Sequence, residues 1–310
     1  MIMKLKVPVN SYESAVKQIE AGADEIYMGL EDNHFNRMSY SARAQITSHE
    51  VHSNLRDEEF ARIVEYAHSK NVAVDFTANC QHVTNSTGDF YREGFLEYVK
   101  RGINLGADAL IVADIGNLIA LRKKGIKTPI IAGSYLNGFN CETVDFLKKL
   151  DVFRICIPDQ VTFNEVKAIK KYTDLEIEIF IGYGCSNLAG VCNFCHNNGE
   201  KIRVGVPCRA KFKMKNKKIA NILDACPDCA ICSIPKLYDL GIDSLKIIGR
   251  ETDCGEVAKI TKMYKTAVQM YVATGKFDRK EIISAIPWWE NNMCYNRCKY
   301  ENTSLLQSYL

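Results

Sequence analysis

Neither sign of charge dominates this chain of 310 residues: 40 Lys+Arg stand against 37 Asp+Glu, a net charge of +3. That balance excludes the strongly basic composition of a dedicated nucleic-acid binder. No apolar stretch approaches the roughly 20 residues that a membrane-spanning helix needs. The opening MIMKLKVPVN holds one short apolar run and no small-residue cleavage site, so no secretory leader is expected and a cytoplasmic setting is. Low-complexity tracts are missing. So are His-Glu-x-x-His and Gly-x-Ser-x-Gly, which argues against a zinc or serine hydrolase. No Gly-x-Gly-x-x-Gly follows the first strand, which weakens a dinucleotide-binding reading. Cysteine, by contrast, is abundant, at 13 residues. In a chain with no expected export signal, that density points to metal or redox chemistry before disulfides.

Short β-rich runs alternate with amphipathic ones. Candidate strands are Leu5–Val9, Glu25–Gly29, Val72–Ala78, Ala109–Ala113, Pro129–Ala132, Val152–Ile157, Glu176–Ile181 and Ser244–Ile248. Most read as continuous apolar runs, the pattern of strands buried on both faces of a parallel sheet. Between them, Phe60, Ile63, Val64 and Ala67 recur at helical spacing. So do Phe146, Leu147 and Leu150, and Val166, Ile169 and Tyr172. Thr162 with Glu165 makes a capping box, and Asn10 with Glu13 a weaker variant. Gly22-Ala23-Asp24, Gly106-Ala107-Asp108 and Gly241-Ile242-Asp243 each close a helix before the next strand, glycine suiting the left-handed cap. Eight such strands predict a (β/α)8 TIM-barrel-like α/β fold, for which about 250 residues is typical. An open doubly wound sheet is the alternative. The expected organisation is a barrel over residues 1–277, a Cys-rich insertion at 182–243 after strand seven, and a partly helical C-terminal extension at 278–310.

The insertion holds seven cysteines: Cys185, Cys192, Cys195, Cys208, Cys226, Cys229 and Cys232. Thiolates are soft ligands, and four around one centre suit zinc or an iron–sulfur cluster. Two CxxC pairs, Cys192/Cys195 and Cys226/Cys229, fit a zinc ribbon as well, so spacing leaves both metals open. The run Cys226-x-x-Cys229-x-x-Cys232 resembles the start of a bacterial ferredoxin motif without its fourth Cys. Cys294 and Cys298, one helical turn apart near Trp288 and Trp289, offer ligands to a possible second centre. Cys156 reads as a small core residue, and Cys80, Cys141 and Cys254 as isolated thiols.

The segments EIEIFIGYGCSNLAGVC, PCRAKF and PKLYDLGIDSLKIIGRE, with AGADEIYMG and GADALIVADIGNL upstream, resemble the U32 family of collagenase-like peptidases over about residues 4–275. The resemblance implies a barrel carrying a four-cysteine [4Fe–4S] cluster. It also implies oxygen-independent hydroxylation of ubiquinone precursors or of bases in tRNA and 23S rRNA; some members are called proteases. Matched position by position, the cluster ligands fall on Cys185, Cys192, Cys208 and Cys229, with Cys195, Cys226 and Cys232 as alternates. Three departures remove charged groups from the barrel mouth. Gly182, Tyr183 and Gly184 stand where the family has His before the first Cys. Pro158-Asp159-Gln160 replaces Ser-Arg-Glu, and Ile248 replaces the Glu of the last strand motif.

Other chemistry concentrates at strand ends, where barrel enzymes bind substrate. Lys246 and Arg250, at the last strand, are candidates to hold an anionic substrate, against a structural ion pair. Asp75, Asn79, Asp114 and Asn137 sit after other strands, where loop caps are the alternative. His34, Arg37 and Arg43 lie in the second loop. Lys211–Lys218 is the one basic run, with a solvated hairpin as its plainer reading and no strong nucleic-acid signature. A Cys–His dyad at Cys195 and His196 is open, though sequence neighbours point apart. The leading expectation is an iron–sulfur protein acting on a small molecule or an RNA base. A peptidase, and a non-catalytic iron–sulfur or Zn2+ subunit beside a heteromeric partner protein, are the alternatives.

Overall fold

The structure is a computed structural model that describes residues 3–32, 40–41, 54–81, 90–182, 212–214, 217–220, 229–249, 252–294 and 298–300. Its frame is a closed barrel of eight parallel strands. In chain order these are β1 (Lys4–Pro8), β2 (Glu25–Met28), β3 (Ala73–Ala78), β4 (Ala109–Val112), β5 (Ile130–Ala132), β6 (Arg154–Cys156) and β7 (Glu176–Phe180). A separate antiparallel hairpin, β8 (Phe212–Met214) and β9 (Lys217–Ala220), follows, and β10 (Ser244–Lys246) closes the barrel between β7 and β1. All eight expected strands form, mostly shorter by a residue or two at one or both ends. Of the basic run, residues 212–214 and 217–218 lie in the two hairpin strands.

The helices are α1 (Tyr12–Glu20), α2 (Asp57–Ser69), α3 (Phe90–Asn104), α4 (Ile115–Lys123), α5 (Cys141–Lys149), α6 (Phe163–Tyr172), α7 (Ile234–Asp239), α8 (Cys254–Thr274) and α9 (Arg279–Ser284). The capping box at Thr162 and Glu165 forms as expected. At α1 the cap is Ser11, whose hydroxyl accepts from the Ser14 N–H, and Asn10 stands outside the helix. Two expected stripe residues, Phe146 and Tyr172, are exposed, because Val144, Leu147, Val166 and Ile169 suffice to seat α5 and α6.

The three Gly-x-Asp segments perform one job. Gly22, Gly106 and Gly241 adopt positive φ of 101°, 98° and 80°, open to glycine without strain. The Asp that follows then accepts a backbone N–H from the preceding strand. Asp24 takes Leu5 N at 2.9 Å, Asp108 takes Val74 N at 2.7 Å and Asp243 takes Ile177 N at 2.8 Å. Each carboxylate thereby ties the start of one strand to the turn leading into another, at the N-terminal end of the barrel.

The strands are not uniformly apolar. Leu5, Val7, Ile26, Val74, Phe76 and Leu245 belong to the main hydrophobic core. The alternate positions of β1, β2, β3, β6, β7 and β10 carry Lys6, Glu25, Asp75, Arg154, Glu178 and Lys246, all buried. The strands are buried on both faces as expected, but several of the inward positions are charged rather than apolar. Period-two alternation places aliphatic side chains toward the helices and charged ones toward the lumen.

Candidate functional site

The lumen charges meet across the barrel. Arg154 on β6 and Glu25 on β2 lie four strands apart around the sheet, so their contact crosses the interior: Nη2 donates to Oε1 at 2.8 Å. Lys6 of β1 donates to Glu178 of β7 and lies 2.6 Å from Asp75 of β3, without good hydrogen-bond alignment to that carboxylate. Lys246 of β10 donates to the other Glu178 oxygen at 2.9 Å. Three cations and three carboxylates thus interlock through the lumen. A buried charge is tolerated when paired and hydrogen-bonded, as Glu25 and Glu178 are, whereas Asp75 Oδ2 faces Lys6 as an ion pair without a hydrogen bond of its own.

Electrostatics divide the carboxylates. Burial raises the Glu25 pKa, but Lys6 and then Arg154 overcome it and hold the group down at about 2. Glu178 is likewise held well below the carboxylate range by Lys246, Lys6 and Arg154, against its burial. Asp75 goes the other way. Burial outweighs Lys6, Glu25 adds repulsion, and its pKa rises to about 6. Burial is the strongest influence on Lys246 and opposes its charge, but Glu178, Cys156 and Tyr27 together overcome it and hold the ammonium pKa above its ordinary range. Its ammonium lies over the rings of Tyr27, at 4.8 Å, and Phe180, at 5.7 Å from the centroids. The Cys156 thiol, also buried, is pushed up by desolvation and remains a neutral, unreactive group.

A second constellation forms beyond the C-terminal ends of β6 and β7. Residues 298–300 return to this rim, and Cys298 pairs with Cys229 in a parallel backbone bridge. Lys299 donates its backbone N–H to the Cys229 carbonyl at 2.8 Å and its ammonium to the Asp159 carbonyl at 2.9 Å. The Tyr300 hydroxyl donates to the Phe180 carbonyl at 2.9 Å, and the Ser233 hydroxyl to the Lys299 carbonyl at 2.8 Å. The Cys229 sulfur is buried and accepts the indole N–H of Trp289 at 3.2 Å. The Tyr264 hydroxyl, from α8, accepts the Ala230 N–H at 3.1 Å. Cys229 is thus fixed on both sides by groups from α8, the segment after α9 and the tail.

Of the other expected site residues, Asp114 caps α4, accepting Asn117 N at 2.9 Å. Asn137 is exposed at a turn with φ of 56°. Asn79 presents a buried Oδ1 that meets no partner among the described residues, a ready acceptor near the mouth. Cys232 is exposed. Cys80 is buried, and Cys141 and Cys254 open α5 and α8. The backbone of Cys294 ends a π-helical turn at Glu290–Cys294. Cys185, Cys192, Cys195, Cys208, Cys226, Arg250, His34, Arg37, Arg43 and His196 lie outside the described residues. Among the described residues no group of three or more Cys, His, Asp or Glu is arranged for a metal, and no helix is long and apolar enough to cross a membrane. Of six histidines only His68 is described, and its Nε2 meets Asp108 at 3.0 Å on the surface.

Sequence reading missed Lys6, Glu25, Arg154 and Glu178. For Lys6 and Glu178 the available signal was the alternation in KLK and EIE, where a charge recurs at the second position; Glu25 and Arg154 are lone charges opening EIYM and RIC and carry no such signal.

Comparison with known proteins adds four findings. The profile described as Peptidase family U32 matches residues 10–299. An uncharacterized protease of Methanocaldococcus jannaschii is 26% identical over 320 residues, spanning 96% of this chain and 72% of that protein. The tRNA hydroxylation protein P1 of Bacillus subtilis is 24% identical over 322 residues, spanning 95% of this chain and 69% of that protein. Among solved structures, the octameric ribulose-1,5-bisphosphate carboxylase/oxygenase of Pyrococcus horikoshii superposes with a TM-score of 0.52 at 10% identity. It covers 94% of this chain and 64% of that one, a likeness of fold alone.

Proposed function

Because the chain belongs to peptidase family U32, we propose that it is an iron–sulfur protein of the hydroxylating type, modifying a small molecule or an RNA base at the barrel mouth without molecular oxygen. The observation that carries this reading is the Cys229 sulfur, buried at the C-terminal rim and receiving an N–H, with Cys298 paired beside it. A soft donor in a shielded, donor-lined position fits ligation by iron. Cys185, Cys192, Cys208 and Cys229 are the residues that would hold a [4Fe–4S] cluster. Such a cluster supplies one-electron redox chemistry, and iron as a Lewis acid, when bound.

The chain's own residues prepare the mouth beneath it. Lys246 holds a permanent positive charge there, braced by Glu178 and by the Tyr27 and Phe180 rings, and attracts an anionic group of the substrate. Asn79 offers its Oδ1 to a substrate donor. Asp114 and Asn137 contribute polarity at neighbouring strand ends, and Arg250 follows the strand that bears Lys246. The relative named for tRNA hydroxylation spans nearly the whole chain, which favours RNA among the substrates.

The test has two parts. Anaerobically isolated protein is assayed for iron and sulfide, with Cys229→Ser beside it. The wild type contains both and the variant loses most of its cluster. Nucleoside mass spectrometry then compares RNA from anaerobic hosts with and without the chain, and a nucleoside gaining one oxygen is expected. Metal-free or zinc-only protein from an iron-replete host overturns the cluster. Unchanged nucleosides together with gelatin cleavage by the metal-stripped chain overturn the hydroxylation reading in favour of the peptidase.

A further inference from the structure

We propose that Trp289 is a positioning residue whose indole N–H sets the electron affinity of the metal centre built on Cys229; this rests on the iron–sulfur reading above. Trp289 is completely buried, and its one polar atom is aimed at the Cys229 sulfur. An indole can only donate, and a buried donor needs an acceptor. A neutral thiol is a weak acceptor, whereas a thiolate bound to iron carries the charge that makes such a bond strong.

The surroundings hold that donor in place. The Trp289 backbone N–H donates to Ile286 O at 2.8 Å. Its ring meets Tyr264 edge to face, centroids 6.1 Å apart at 82°. Tyr264 in turn accepts the Ala230 N–H, so one aromatic pair grips both the side chain and the backbone of the Cys229 segment. Gly182, where the chain leaves β7, packs against the same two rings. A Cβ there would lie 3.6 Å from Tyr264 and 3.8 Å from Trp289. Gly182 follows the end of β7, so the pair stands between that strand end and Cys229. Lys299 completes the clasp at the Cys229 carbonyl.

A hydrogen bond to a ligating sulfur draws negative charge away from the cluster and favours the reduced state, so its removal makes reduction harder. The experiment is an anaerobic titration of the full chain with dithionite as electron source, followed by visible absorption and electron paramagnetic resonance. Wild type, Trp289→Phe and Trp288→Phe are compared, with iron and sulfide counted in each. The expected result is a loaded Trp289→Phe protein whose midpoint moves to more negative potential while Trp288→Phe stays at the wild-type value. An unchanged midpoint in loaded Trp289→Phe overturns the assignment and leaves the iron–sulfur reading standing. A wild type without iron overturns both. Should Trp289→Phe fail to fold or load, benzothienylalanine at position 289 in a Trp288→Phe background keeps the ring shape without the N–H. The same shift is required of it, and its absence overturns the proposal.

Discussion

Arg154 has no route to water. It is 1% exposed, and its guanidinium is shared among Glu25, Glu176 and Glu178. A buried ion pair adds little over an apolar core, but removing one partner strands the others. Arg154→Met is therefore expected to lower the unfolding free energy by about 3–5 kcal/mol. Adding Glu25→Gln to it should recover part of that loss, as read from denaturant curves of the single and double variants. Asp75 gives a prediction of opposite character. Its pKa is 3.8 in a free chain and about 6 in the folded protein. The folded state keeps a proton that the unfolded chain has released, so this group's stabilising contribution is complete below 3.8 and lost as pH rises through about 6. Glu25 and Glu178 act the other way, contributing above the ordinary carboxylate range and losing it as pH falls. Measured across this range, the stability of wild type minus that of Asp75→Asn should fall as pH rises and level off above the Asp75 transition. A difference independent of pH would refute the assignment.

At the level of elements, the barrel depends on close seating of helices against the aliphatic outer face. Gly102 on α3 marks the tightest place. A Cβ there would stand 2.7 Å from three ring carbons of Phe76, which is fully buried on β3. Rigid aromatic carbon cannot yield as a flexible side chain does. Gly102→Ala should cost about 1–3 kcal/mol through overpacking, despite the better helix propensity of alanine. Thermal unfolding measures it, and a stabilised variant would show that α3 can shift outward. The returning tail is the second such element. Lys299 is buried and pairs with Asp159, also nearly buried, so Lys299→Met should loosen residues 298–300 from the rim. In metal-free protein, Cys229 should then react faster with an alkylating reagent, as counted by peptide mass spectrometry.

Across the whole molecule, the eight strands, the alternation of helices and the three Gly-x-Asp turns were legible in the sequence. Each is written in neighbours: a period of two or 3.6 residues, or a glycine free to take positive φ. The cysteine-rich segment was legible too, since density of one residue type needs no fold to be seen. Two things were not. The charged lumen was hidden, because Arg154 and Glu25 are separated by 129 residues and meet only when the sheet closes on itself. The partnership of Cys229 with Trp289 and Cys298 was equally hidden, the sulfur and its donor standing 60 positions apart. Order along a chain specifies local conformation, because torsional preference and periodic burial act over a few bonds. Which distant groups share a buried, low-dielectric space follows from barrel closure and the return of the tail, and the lumen charges and the Cys229 sulfur acquire their surroundings there.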